Sequence, residues 1–176
     1  LATAKQSSYA VVAFTHLDAD HICGSSEFFH LSHAAKYQGG DRIKIDVLWV
    51  PAAVIIEDGC EDEARIIQAE ARHRLREGSG IRVFSRPDEL KTWLRDQGLS
   101  VESRSHLITD AGQIVPGFTK DAHGVEFFVH SPFASRLEDG TLLDRNTDSL
   151  ALQATFVVDG VETKLMLASD LDHEAL

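Results

Sequence analysis

The chain is short of cysteine, proline and positive charge. Its 176 residues hold two cysteines, four prolines and 17 Lys plus Arg against 28 Asp plus Glu, for a net charge of −11. Cys23 and Cys60 are too few for a disulfide framework, and neither sits in a CxxC pair, so both are expected as reduced thiols in a cytoplasmic protein. The acidic balance excludes a general electrostatic attraction for nucleic acid or anionic lipid. An activity on phosphates then needs something local to overcome the repulsion, such as a cation held by clustered carboxylates. No apolar run reaches the roughly 20 residues that cross a bilayer, so no membrane partner is expected. Leu1 to Ser8 carries one Lys and no apolar centre, unlike a secretory leader. Repeats, low-complexity tracts and Ser/Gly linkers are missing as well. With 43% hydrophobic and 26% charged residues, the composition is that of one ordinary domain spanning 1–176.

Hydropathy patterning predicts an α/β chain. Tyr9 to Phe14 (YAVVAF) reads as a strand buried on both faces. Gly24 to Ser26 offers a helix start, which Glu27 to Lys36 can continue. Lys44 to Trp49 is a second strand closed by Pro51. Glu61 to Glu77 is the clearest helix, with Ile67, Ala71 and Leu75 on one face, acids at its start, arginines at its end and Gly78 beyond. Ile81 to Phe84 is a short strand. Ser85 then caps a helix bearing Pro87, Leu90, Trp93 and Leu94, stopped by Gly98. Val125 to His130 is a strand, and Asp159-Gly160 joins Leu150–Val158 to Val161–Ala168 as a hairpin. The order predicts one mixed sheet with helices.

The chemistry concentrates after the first strand. His16, Asp18, Asp20 and His21 fall within six residues at its carboxyl end, where α/β folds carry functional loops. His16 and Asp18 point the same way in extended chain, and the turning chain can bring Asp20 and His21 back to the same space. Imidazole nitrogen with carboxylate oxygen suits Zn²⁺, Mn²⁺ or Fe²⁺. With no adjacent Lys or Arg, the pocket is read as intensely negative.

Thr15-His16-Leu17-Asp18-Ala19-Asp20-His21-Ile22-Cys23-Gly24 resembles the THxDxDHxxG signature of metallo-β-lactamase-fold hydrolases. Asp18, where most of that superfamily has a second His, resembles the metallohydrolase domain of bacterial competence DNA-uptake proteins. Asn146-Thr147-Asp148-Ser149-Leu150 and Leu165-Met166-Leu167-Ala168-Ser169-Asp170 are similar to two later motifs of that group, with Ser169 in place of Gly. Glu174 matches a Glu that often follows. The resemblance implies an αββα sandwich with a helical insertion at about 36–99. It also implies family elements before Leu1 and after Leu176, so an incomplete segment that binds its second metal weakly.

Carried over by residue, the resemblance implies two divalent metal ions, Zn or Mn. His16 and Asp18 would hold the first, Asp20 and His21 the second, and Asp170 would bridge. His130, in His130-Ser131-Pro132, is a further candidate ligand. Asp20 would also orient the attacking water and accept its proton. The implied substrate is a phosphodiester or nucleic acid, with Arg136 and Arg145 as candidate phosphate contacts. Two alternatives stay open: a non-catalytic domain using the fold to contact a protein partner, with the acidic helix Glu61 to Glu77 as interface, or a hydrolase of lactones or thioesters. His30 and His33 share a face if their segment is helical. His73 reads as helix electrostatics, His106 and His123 as loop residues and His173 as a minor ligand candidate. Cys23 reads as a packing residue.

Overall fold

The computed structural model describes residues 7–132 and 145–171. Arg136, His173 and Glu174 lie outside the described residues. The chain runs β1 (Ser8–Ala13), α1 (Ala19–Ile22), α2 (Ser25–Phe28), β2 (Phe29–His30), β3 (Ile43–Pro51), α3 (Ala52–Ile56), α4 (Asp62–Glu77), β4 (Ile81–Phe84), α5 (Asp88–Asp96), α6 (Val101–Arg104), β5 (Ile108–Thr109), α7 (Lys120–His123), β6 (Val125–Ser131), β7 (Ala151–Val158) and β8 (Val161–Leu167). No described helix is long and apolar enough to cross a membrane.

The strands form two sheets, one parallel and one antiparallel, where the order of elements alone predicted a mixed sheet. One is parallel, in the order β1-β3-β4-β5 with β2 also on β3; the other is an antiparallel β6-β7-β8 meander. Alternation along β3 and β4 explains how the layers stack, because successive strand residues face opposite sides. Leu48, Val50, Ile81 and Val83 meet Ile67, Ala71 and Leu75 of α4 and Leu90 and Leu94 of α5. On the other face, Trp49 and Phe84 pack against Val129 and Leu152 of the antiparallel sheet. Trp49 stands edge-on to Phe84, Phe118 and Phe127, with ring centroids 5.6, 5.5 and 5.3 Å away, the geometry that the aromatic quadrupole favours. The described layers are therefore helices, parallel sheet and antiparallel sheet.

Several elements match their local signals. The apolar face of α4 is fully buried, and Gly78 closes it at φ 78°, a left-handed conformation that costs glycine nothing. The β7–β8 hairpin turns through Asp159 and Gly160, both at positive φ, as a type I′ turn requires.

Other expectations fail for tertiary reasons. β1 is not buried on both faces: it is an edge strand paired only with β3, and its six residues are all exposed or half-buried. The helix expected to run on from Glu27 to Lys36 stops at Phe28, because Phe29 and His30 join Ile43 and Lys44 as β2. His30 and His33 therefore share no helical face. The stretch 36–99 is no helical insertion, since it supplies β3 and β4, the inner strands of the parallel sheet. Ser85 does not cap α5; it sits at φ 73° and its N–H donates to Thr109 O. Pro87 takes the N-cap position instead.

Beneath this layer lies a fully buried carboxylate. Glu70 accepts from Arg74 Nε at 2.6 Å and from the His33 N–H at 2.9 Å, and lies 3.0 Å from His33 Nδ1. Burial pushes its pKa up, but the Arg74 hydrogen bond and the Ser32 and His33 amides outweigh this and hold it below the ordinary carboxylate value.

Candidate metal centre

The site forms where the two sheets meet. β1 ends at Ala13, and the chain that follows is tied to the parallel sheet through the Phe14 N–H and to the antiparallel sheet through the Thr15 carbonyl. Phe14 N–H donates to Trp49 O, and Leu150 N–H donates to Thr15 O, each at 3.0 Å. The second bond fixes the loop after β1 to the start of β7, whose partner β8 ends beside Asp170.

His16 is 2% exposed. Its Nδ1 lies 3.1 Å from Thr15 Oγ1 and 3.4 Å from Ser169 Oγ, while Ser169 Oγ donates to Thr15 Oγ1 at 2.8 Å. In the tautomer whose Nδ1–H donates to this hydroxyl pair, the Nε2 lone pair is free. Nε2 is buried with no hydrogen-bond partner among the described residues, an arrangement that calls for a ligand or other explanation. Burial, then neighbouring His21, push the His16 pKa below its ordinary value despite Asp18, Asp170 and Asp20. A neutral imidazole is the form that binds a metal.

One turn of α1 adds the next two groups. Asp18 occupies the N-cap position, but its side chain makes no cap bond. Asp18 Oδ2 lies 3.5 Å from His16 Nε2. His21 tilts over His16, with ring centroids 4.1 Å apart. Asp170, 149 residues away in sequence, places Oδ2 3.0 Å from His21 Nε2 and 4.0 Å from His16 Nε2. The donor atoms of His16, His21 and Asp170 all lie within 4.8 Å of one another. Asp20 Oδ2 is 3.7 Å from His21 Nε2. Its distance from Asp170 Oδ2 therefore cannot exceed the sum of their two separations from that nitrogen. Asp18 and Asp20 each approach one imidazole but stand outside this tight group, which holds two imidazoles and one carboxylate, a donor set that suits a borderline divalent cation such as Zn²⁺ or Mn²⁺.

His130 is not in the tight donor group. The β6–β7 register shifts between Val129 and Ser131, and such irregularities redirect side chains. Its ring stands against Phe128 at 4.9 Å, and Nε2 is buried without a partner among the described residues.

Several contacts could not be read from the motif. Thr15 and Ser169 support His16 from behind. Ser169, the residue standing where the resembling family has glycine, sits at φ 54°, which explains why glycine suits the position. The expected lack of basic groups is also corrected: Arg145 Nη1 donates to Asp18 Oδ1 at 2.7 Å and to Leu17 O at 2.9 Å. Its Nε donates to Glu57 Oε1 at 2.9 Å, and Nη2 donates to the same oxygen. Arg145 is thus engaged by the carboxylates of Asp18 and Glu57. In the sequence, position alone nominates Arg145, and Glu57 carries no signal.

On the far side of α1, a cleft of 380 Å³ is lined by Leu17, Ile22, Cys23, Glu61, Glu63 and Arg145 among others. Cys23 is exposed there, not packed. No protein-family model, curated protein or solved structure matches the chain.

Proposed function

We propose that the chain is a metal-dependent hydrolase of metallo-β-lactamase type, a phosphodiesterase or nuclease acting through two divalent cations, Zn or Mn. The observation that carries this reading is the arrival of Asp170 at His16 and His21, with all three donors within 4.8 Å. Local chain geometry alone would not bring it there. The buried His16 Nε2, unpartnered among the described residues, is the second support.

When bound, such ions polarise a phosphoryl oxygen and bring the pKa of a water toward about 7. The protein supplies the rest. Thr15 and Ser169 hold His16 in one orientation. Asp170 Oδ2 approaches both imidazole Nε2 atoms, at 3.0 and 4.0 Å, so one carboxylate could serve two ions. Asp20, with its side chain 78% exposed beside His21, can orient a water and take its proton. At a net charge of −11, with Arg145 engaged, the cations themselves must provide the attraction for phosphate.

The neighbouring cleft favours a second reading. Its lining, which sets Leu17, Ala19 and Ile22 beside Glu61, Asp62 and Glu63 with Arg145 as its one cation among the described residues, suits a neutral acyl group, as in a lactone or thioester, better than a polyanion. Wild-type, Asp20→Asn and Asp170→Asn proteins should be assayed with Mn²⁺ or Zn²⁺ on single- and double-stranded DNA, a chromogenic phosphodiester, a lactone and a thioester. The expected result is phosphodiester cleavage abolished by chelator and lowered about 100-fold or more by either substitution. Activity on the acyl substrates alone selects the second reading. Turnover indifferent to chelator and to Asp20→Asn removes both. Stoichiometric metal uptake without turnover of any substrate leaves a binding domain.

A further inference from the structure

Asp18 presents its two oxygens to different groups. Oδ2 lies 3.5 Å from His16 Nε2, at the cluster, while Oδ1 accepts from Arg145 Nη1 at 2.7 Å. Free rotation about the carboxylate would otherwise exchange them. Arg145 is itself braced on three sides: Nη1 also donates to Leu17 O, one residue before Asp18, and Nε and Nη2 both reach Glu57. Glu57 follows α3, and its backbone O accepts from Gln68 Nε2 at 2.8 Å and Arg72 Nη2 at 3.4 Å, both from α4. A continuous set of bonds therefore runs from the longest helix through Glu57 and Arg145 to one oxygen of Asp18. It replaces the N-cap bond that an aspartate at this position ordinarily makes.

We infer that Arg145, braced by Glu57, is a positioning residue that fixes Asp18 as a one-oxygen ligand of the metal centre. The inference rests on the metal-centre reading above. Two physical roles for an arginine here predict opposite signs. As a bare positive charge it repels a cation, so its removal tightens binding. As a geometric clamp it keeps a ligand in place, so its removal weakens binding, by about 10- to 100-fold for partners of this kind. The geometry favours the clamp. Two of the three contacted groups, Glu57 and Leu17 O, orient the guanidinium without touching the cluster, and a planar fork rather than a point charge fits them.

The test is calorimetric titration of Zn²⁺ or Mn²⁺ into the full chain, with the Co²⁺ absorption spectrum as a second readout. The variants are Arg145→Lys, Arg145→Gln, Glu57→Leu, Asp18→Asn and Arg145→Gln/Asp18→Asn. The clamp requires Arg145→Lys and Arg145→Gln both to weaken metal binding about tenfold and to change the Co²⁺ spectrum alike. It requires Arg145→Gln to add nothing once Asp18→Asn is present. Glu57→Leu, which leaves Arg145 in place but unbraced, must shift affinity the same way, and it carries the test if Arg145 variants do not fold. Arg145→Lys indistinguishable from wild type, tighter binding by Arg145→Gln, or an undiminished effect in the Asp18→Asn background would each overturn the inference while leaving the metal centre intact. A wild-type chain that takes up no metal overturns both.

Discussion

Ser169 sets backbone strain against side-chain support, and substitution separates the two. At φ 54° a non-glycine residue carries about 1–2 kcal/mol of left-handed strain. Its hydroxyl donates at 2.8 Å to Thr15 Oγ1 in an exposed setting, which contributes about 0.5–1 kcal/mol. Ser169→Ala removes the bond and keeps the strain, so it should destabilise by about 0.5–1 kcal/mol. Ser169→Gly also removes the bond but releases the strain, against about 0.5–1 kcal/mol of extra chain entropy. The Gly variant should therefore fall close to wild type and exceed the Ala variant by about 0.5–1 kcal/mol. Urea denaturation resolves this as a midpoint difference of about 0.3 M at unchanged slope. Metal affinity should respond differently, falling by a similar factor in both variants, because each withdraws the Oγ that lies behind His16 Nδ1. An Ala variant as stable as the Gly variant would refute the strain argument. Metal affinity unchanged in both would refute the supporting role of the hydroxyl.

Glu70→Gln should lower stability by about 3–5 kcal/mol, because it strips the charge partner from buried Arg74; calorimetry should show Glu70→Met/Arg74→Met losing less than the two single changes combined. Trp49→Ala should cost about 3–5 kcal/mol and lower Tm by roughly 6–20 °C, since Trp49 is 3% exposed where the two sheets meet; a drop under 3 °C would place the inter-sheet core elsewhere. Stability of the metal-free chain should fall in two stages with acid. The folded state holds His16 below its ordinary 6.5, so the unfolded chain gains a proton first as pH falls through 6.5, and His16→Gln should flatten that stage. Glu70 is held below 4.5, so its contribution is complete above 4.5 and disappears as pH falls through its lower folded value; urea midpoints from pH 8 to 3 test both signs.

Features governed by neighbours in sequence were legible from the chain alone. The apolar face of α4, its Gly78 stop, the Asp159-Gly160 turn and β4 follow from periodicity and backbone preference, which act over a few residues. The clustering of His16, Asp18, Asp20 and His21 was also visible, because ligand-type side chains stand together after an apolar run. Tertiary structure decided the rest, through groups distant along the chain. Apolar content alone does not distinguish an edge strand from a central one, so the exposure of β1 followed from its pairing. The segment after Phe28 had helical composition, yet backbone bonds to β3 drew Phe29 and His30 into the sheet. Arg145 reaches Asp18 across 127 positions of chain and Glu57 across 88, so no local pattern could register either contact. Asp170 reaches His21 only because β8 pairs with β7 and β7 is tied to Thr15. Motif spacing names candidate ligands; the docking of one sheet on another decides which of their atoms meet.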